Sequence, residues 1–587
     1  MVSHYFKAGE SRHRLIAVLV LTALMFVIVV GKVVMLQTSS AETLRAAGRE
    51  QRTSERVLKA SRGVIFDRNG DELALSLPAV TIIANPKLVT DPVGTVSTLA
   101  PILALSAEKQ ESLVEAFTAK KKSFVYIARQ VDDDTAAVVM ALSLAGVDDI
   151  SEDRRSMPGG DVGQSVIGLT NVDGEGIAGL EEKYDALLTG TNGEITRQHD
   201  RDGRSLPGSE TTALTPVPGD DVVLTIDRSV QFAVEQAMLK RVSELKARGG
   251  TAVVMSARTG EVIAMVGVRR NDDGIVEVTS GNIAAVDAAE PGSVVKAITV
   301  AAALNEGTVT PDTMFNIPYA KKYSDTVLHD AEVHPDETWP VSKILAKSSN
   351  IGTIEVMLTL AEELRHKKEK LGAYMTAFGL GTKTALQFPG ESRGLGADWR
   401  MWEGAEQYTV AFGQGIASTS IQLAAAINVL ANGGVYVEPK LLLSTINAAG
   451  ELVETPPSGT RQVVRPEVAA QVTQMMRDVV CVGTAQAARV EGVSIAGKTG
   501  TGLKAQPNGT YLNEKGERTY YSSFVGFFPA EAPEVTVLIS IDEPPGAEDE
   551  VTRFGGTAAA PVFAAVAPTI MREMNIVPPP GGGCPES

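Results

Sequence analysis

The longest apolar run lies near the start of the chain. Residues 15–31 (LIAVLVLTALMFVIVVG) carry no charge, Lys32 interrupts, and residues 33–36 resume the run. At about 1.5 Å per residue, a helix over 15–36 reaches roughly 33 Å, enough for a bilayer core of about 30 Å. A lysine near the end of such a span can extend its amine to the interface. Lys7, Arg12 and Arg14 precede the run, which predicts a short tail held in the cytoplasm and a chain that lies outside it beyond about residue 37. The alternative is a cleaved signal peptide. Its apolar core would be shorter, and residues 39–41 offer only a weak small-residue cleavage site, so a retained anchor is the expectation.

Beyond the anchor the pattern breaks into short pieces. Residues 40–60 are polar and helix-compatible and read as a stalk. RGVIFDRNG over 62–70 reads as a short strand closed by an Asn69-Gly70 turn. Residues 90–150 carry amphipathic helical patterns such as SLVEAFTA and DDDTAAVVMALSLAG, and 158–220 is dense in glycine. Character changes at Pro216-Val217-Pro218-Gly219, a turn or linker signal. After it, 222–226 is apolar and β-branched, 229–248 is an amphipathic helix, and 251–255 and 262–268 flank Arg258-Thr259-Gly260-Glu261 as a hairpin. A second pair of strand-like runs, 522–528 and 535–541, lies far downstream, with helical stretches such as 421–432 between. Strands at both ends of a segment with helices in the middle predict one α+β domain whose sheet is closed by distant parts of the chain. The expected division is a tail 1–14, an anchor 15–36, an irregular α+β module 37–215, a larger α+β domain 216–575 and a disordered tail 576–587.

Composition narrows the function. With 587 residues, 44% hydrophobic and 21% charged, the chain suits about three or four globular units and is neither disordered nor a multi-span membrane protein. Its net charge of −17 argues against broad nucleic-acid binding, which needs clustered lysine and arginine. Two cysteines, Cys481 in an apolar stretch and Cys584 in the tail, are expected to remain unbridged, the first as a buried thiol. Six histidines include no H-E-x-x-H, and His329 and His334 have no third ligand in view, so no metal is expected.

No G-x-S-x-G elbow is present, and no histidine has the setting of a serine hydrolase base. A serine can instead be activated by a lysine at i+3 on a helix, where the two side chains share a face. The lysine must be neutral part of the time, which burial and a neighbouring cation favour. Ser-x-x-Lys occurs at Ser243-Glu244-Leu245-Lys246, in a charged amphipathic helix, and at Ser293-Val294-Val295-Lys296. Only the second follows a Pro-Gly stop and opens an apolar helix, whose N-terminal amides would face developing negative charge. Ser348-Ser349-Asn350 follows in AKSSNIGT, and Lys498-Thr499-Gly500-Thr501 in IAGKTGTG. Each motif is weak alone; their order, spacing and flanks together are specific.

This set resembles the class B penicillin-binding proteins, the peptidoglycan DD-transpeptidases, most closely the division-specific FtsI type. The resemblance extends to RGVIFDRNG, GLEEKYDALLTG (179–190), LTID (224–227), FGQGIASTSIQLA (412–424), VVCVGTA (479–485) and YYSSFVGFFPA (520–530). Ser-Ser-Asn in place of Ser-Asp-Asn argues against a class A β-lactamase, and no recognisable glycosyltransferase segment precedes residue 215. The resemblance implies a pedestal module beneath an antiparallel sheet flanked by helices. It implies that Ser293 attacks the D-Ala-D-Ala carbonyl of a stem pentapeptide, Lys296 takes its proton, Ser348 relays a proton to the leaving D-alanine, and Asn350 holds Lys296 and the substrate amide. Lys498 would add positive charge, Thr499, Gly500 and Thr501 would form the carboxylate-binding strand, and the amides of Ser293 and Thr501 the oxyanion hole. β-Lactams would acylate the same serine, no cofactor would be needed, and the partners implied are the cytoplasmic membrane, a glycan polymerase of the FtsW type and other division proteins. An elongation-type enzyme, and a β-lactam-binding receptor or scaffold without turnover, are the alternatives. The five candidate side chains are expected to converge on one cleft, with Ser243 and Lys246 on the surface away from it.

Overall fold

The computed structural model describes residues 11–38, 42, 53–198, 209, 211–396, 398–504, 506, 510–513, 516–544 and 552–585. Helix α1 (Ser11–Gln37) runs through the whole apolar stretch. Its mean hydropathy reaches 2.7 and none of its apolar window is buried, so a single-pass membrane anchor fits it. The stalk expected over 40–60 lies partly outside the described residues. Its described end is no helix: Thr53–Leu58 is a strand that pairs antiparallel with Gly193–Gln198, which also carries Thr211–Leu214. This small sheet belongs with the N-terminal stretch in one unit, and Ser61–Gly190 and Pro218–Ser587 form the other.

In the second unit, strand Glu72–Ala84 carries Val125–Val131 and Val147–Ser156 on its two edges. Helices Ala107–Ala119 and Asp133–Ala141 account for the two amphipathic patterns. The strand Val147–Ser156 (VDDISEDRRS) has almost no apolar alternation; ten backbone pairs to Glu72–Ala84 hold it in place, a form of support that hydropathy does not report. The RGVIFDRNG segment is a hub of polar contacts. The Asp67 carboxylate accepts from the amides of Asn69 (2.7 Å), Asp71 (2.9 Å) and Arg228 (3.1 Å), and Arg68 pairs with Glu261 at 3.2 Å. Arg62 and Arg155 both pair with buried Glu181 at 2.7 Å. Removing one member of such a buried network costs about 3–5 kcal/mol.

Helix α2 (Arg228–Glu244), capped by Asp227, leads into the central sheet. Its strands are β1 (Gly249–Ser256), β2 (Val262–Arg270), β3 (Val276–Val278), β4 (Ala496–Leu503), β5 (Tyr520–Phe528) and β6 (Val535–Asp542), in spatial order β3-β2-β1-β6-β5-β4. As the pattern predicted, the first hairpin is joined to the distant second one, with β1 antiparallel to β6 from Gly249↔Asp542 to Ser256↔Val535. Both faces are covered. Ala252 and Val254 pack with Phe524, Phe528 and Phe563 towards α2 and the C-terminal helix Ala560–Glu573, while Val253, Met255 and Leu538 face the helical body. That is why these strands read as continuous apolar runs rather than alternating ones.

The two cysteines correct the expectation of unbridged thiols: Cys481 and Cys584 form a disulfide with Cα atoms 5.3 Å apart. The Pro- and Gly-rich tail turns back so that Gly582 lies against the carbonyl of Gly492, and this brings Cys584 to the end of helix Pro466–Cys481. The bridge spans 103 residues of sequence; loop entropy alone would give about 4.7 kcal/mol for such a loop, and bridges typically deliver about 2–4 kcal/mol. Cys584→Ser is therefore expected to lower the denaturant unfolding free energy by about that amount. An unchanged midpoint would show that the tail contributes no constraint.

Candidate active site

Gly292–Val294 is a 3-10 turn that runs directly into helix α3 (Val295–Asn305), whose residues from Val295 to Leu304 are buried. Gly292 has φ +55°, and a Cβ there would come within 2.8 Å of the Thr501 carbonyl, so only glycine lets this turn lie against β4. Ser293 is half-buried on the turn. Lys296, one helical turn on, is fully buried.

Helix α4 (Val341–Lys347) ends at Ser348, which adopts a left-handed conformation (φ +59°), a strained choice for a non-glycine residue. The next helix, α5 (Asn350–Met357), is capped by Ser349. The tight turn between them points two acceptors at Lys296: its Nζ donates to the Ser348 carbonyl and to Asn350 Oδ1 at 2.7 Å, and lies 3.3 Å from Ser348 Oγ. Phe412 closes the pocket, with the amine 5.8 Å from its ring centroid. Burial pushes the Lys296 amine down to about 7, against the opposing pull of Asp330.

Strand β4 carries Lys498, also fully buried. Its Nζ donates to Ser348 Oγ at 2.9 Å, so one hydroxyl stands between two lysine amines. Burial, and then the charge of Lys296, hold Lys498 well below its ordinary value. Thr499 shares a 2.7 Å hydrogen bond with Thr484. A Cβ on Gly500 would lie 2.7 Å from the Pro291 carbonyl, and Thr501 Oγ1 accepts from the Gly555 amide at 3.3 Å. The structure thus hydrogen-bonds Lys296, Ser348, Asn350 and Lys498 together and lays the Ser293 turn against the Lys498–Thr501 strand. Ser243 and Lys246 are exposed, and α2 ends between them. No group of metal-ligating side chains occurs among the described residues.

Two supporting residues escaped the sequence reading. Asp330, buried, accepts from Ser349 Oγ at 2.6 Å and from the Ile351 amide at 2.9 Å, and so fixes the turn that carries Ser348 and Asn350. Glu290 accepts from Tyr511 at 2.7 Å and from the Gly415 amide at 3.1 Å, tying the loop before Ser293 to its neighbours. Neither lies in a motif; the preference of a tight turn for a buried acceptor was the only available signal.

Comparison with known proteins gives a consistent picture. The penicillin-binding protein transpeptidase domain matches residues 250–567, and the penicillin-binding protein dimerisation domain matches residues 57–224. The chain is 33% identical to penicillin-binding protein PbpB of Mycolicibacterium smegmatis, over 99% of this chain and 92% of that protein. It is 32% identical to peptidoglycan D,D-transpeptidase FtsI of Escherichia coli K12, over 97% and 92%. Among solved structures, penicillin-binding protein 3 of Mycobacterium tuberculosis in complex with aztreonam superposes with a TM-score of 0.66 at 27% identity, covering 90% of this chain and all of that one.

The buried Lys296 gives the fold a pH dependence of definite sign. Burial pushes the amine from its ordinary 10.5 down to about 7 in the folded chain. Between these values the unfolded state holds a proton that the folded state lacks, so stability rises with pH across this window and is flat in this respect below it. Lys296→Met removes the effect. Relative to the wild type, the variant is expected to be more stable at pH 7 than at about pH 9.5 by up to about 3 kcal/mol in urea denaturation. Parallel curves at both pH values would mean that Lys296 titrates normally.

Proposed function

The chain belongs to the class B penicillin-binding proteins, and on that premise we propose that it is a membrane-anchored peptidoglycan D,D-transpeptidase acting in septal wall synthesis through a Ser293 acyl-enzyme. The observation that carries this reading is the meeting of three separate motifs at one hydroxyl: Lys296 and Lys498 both reach Ser348 Oγ, and Asn350 holds Lys296. A neutral amine at Lys296 has two N–H groups, which the Ser348 carbonyl and Asn350 Oδ1 accept. Its lone pair is then free to take a proton, and its lowered proton affinity makes that state accessible near neutral pH.

Ser293 Oγ attacks the carbonyl that joins the two D-alanines, and its proton passes to Lys296. The oxyanion is held by the amides of Ser293 and Thr501, each worth about 3–4 kcal/mol. The C–N bond breaks, the proton reaches the leaving D-alanine amine through Ser348, and the ester remains. The amine of a second stem peptide then attacks the ester and loses its proton to the same relay; the C–O bond breaks and Ser293 regains its hydroxyl. Lys498, Thr499 and Thr501 receive the terminal carboxylate, with Gly500 keeping the strand open beside the nucleophile turn. A β-lactam acylates Ser293 in the same way, but its leaving amine stays tethered. Residues 216–575 carry this chemistry, and 37–215 serve as the pedestal. The basic residues before α1 support a cytoplasmic N-terminus, and in this reading the anchor holds the enzyme beside a glycan polymerase of the FtsW type. The intact set of Ser293, Lys296, Ser348, Asn350 and Lys498 and the relatives' names support this reading over a receptor or scaffold.

Ser293→Ala is expected to abolish covalent labelling by a fluorescent penicillin, and Lys296→Ala to reduce it by at least about a hundredfold. Ser243→Ala is expected to label as the wild type does. Labelling of Ser293→Ala at the wild-type rate would remove the nucleophile from this mechanism.

In cells, a fluorescent fusion is expected at midcell, and protease added to spheroplasts is expected to digest the large domain. A side-wall distribution would reject the septal role, and full protection would reject the orientation.

A further inference from the structure

Behind the turn that carries Ser348 and Asn350 sits a histidine that the mechanism above does not use. The imidazole of His334 is largely covered, with 15% of its side chain exposed. Its Nδ1 lies 2.8 Å from the carbonyl of Pro335 and its Nε2 3.0 Å from Asp330 Oδ2. Both partners are acceptors. A neutral ring can donate from one nitrogen only and would turn the lone pair of the other towards an oxygen; the imidazolium satisfies both.

Asp330 is the other half of the arrangement. Its carboxylate accepts Ser349 Oγ and the Ile351 amide on one side and His334 on the other, and it is the charge that opposes the lowering of Lys296. The groups around the pair are few. The His334 ring stacks on Trp339 at 4.8 Å and meets the edge of Tyr319 at 6.2 Å. Glu337, held by Lys343 at 2.9 Å, adds negative charge. The neighbouring His329 ring faces Tyr319 and the Asp330 carbonyl, and Tyr323 lies within the field of Asp330. Against the desolvation that favours the neutral ring, the hydrogen bonds to Pro335 and Asp330 and the charges of Asp330 and Glu337 raise the proton affinity of His334.

We propose that His334 is a positioning residue for acyl transfer: as an imidazolium it neutralises the carboxylate that fixes the Ser348–Asn350 turn, and so keeps that charge from holding a proton on Lys296. The proposal rests on Lys296 being the proton acceptor from Ser293. Its sign is definite. When His334 is charged, Asp330 is balanced and Lys296 sheds its proton readily. When His334 is neutral or absent, the bare carboxylate holds the proton on Lys296, and acylation needs a higher pH.

The test is the pH dependence of the second-order acylation rate with a chromogenic cephalosporin, measured on the full chain. His334→Gln keeps a donor facing Asp330 without the charge. Its acid limb is expected to move up by at least about half a pH unit, a threefold loss at about pH 6.5, with rates converging with the wild type at about pH 9. Adding Asp330→Asn removes the charge that His334 balances, and the limb is expected to move back below that of the single variant. Damage to the fold would instead lower the rate at every pH without moving the midpoint. That result, or an unmoved midpoint in His334→Gln, overturns the proposal. Ser293→Ala, run in parallel, separates the two levels. If it is still acylated, the parent mechanism fails and this proposal with it. If it is inert while the His334 midpoint stays fixed, only the role of His334 fails.

Discussion

Two fully buried lysine amines, Lys296 and Lys498, share one serine hydroxyl, and much of the domain is arranged to sustain that contact. A buried ammonium is expensive, and two close together are more so. The fold resolves the conflict by lowering the proton affinity of both amines and by giving each hydrogen-bond acceptors. The acceptors come from a turn with Ser348 in a left-handed conformation, and that turn would drift without the buried carboxylate of Asp330 behind it. Strain, burial and charge are thus concentrated around the two amines that the proposed mechanism needs neutral.

The rest of the domain keeps the three segments in register. Lys296 belongs to a helix buried along its length, Ser293 to the turn that opens it, and Lys498 to an edge strand of a sheet covered on both faces. Turn and strand meet where Gly292, Gly500 and Gly502 leave no room for a side chain: a Cβ on Gly502 would approach the Glu290 carbonyl to 2.2 Å. Helix Pro466–Cys481 braces the strand from behind. Just past its end, Thr484 bonds Thr499, and a Cβ on Gly483 would lie 2.5 Å from the carbonyl of Ala346, two residues before Ser348. The Cys481–Cys584 bridge therefore ties the C-terminal tail to a segment that touches two of the three motifs.

How much of this was legible in the sequence depends on how local the cause is. The Ser293–Lys296 pair could be read because i, i+3 spacing on an apolar helix is a local fact, and Ser243–Lys246 could be set aside because its surroundings are charged. The joined hairpins were legible because strands covered on both faces are apolar throughout. The strand Val147–Ser156 was not, since its support is a partner more than sixty residues away (Val147 pairs with Ala84). Asp330 and Glu290 were missed because a buried carboxylate looks like any surface acid until its donors are known. The disulfide was missed because a Pro- and Gly-rich tail shows no hydrophobic reason to return; the bridge and the contact with Gly492 supply one that hydropathy does not measure.

The same bridge bears on topology by an argument independent of charge distribution. Disulfides persist where the surroundings are oxidising and are rare where thiols are kept reduced. Cys481 and Cys584 both lie in the large domain, hundreds of residues past α1. A single helix among the described residues is apolar and long enough to cross a membrane. The orientation proposed above, with Lys7, Arg12 and Arg14 in the cytoplasm and the large domain outside it, is one in which bridged cysteines would persist.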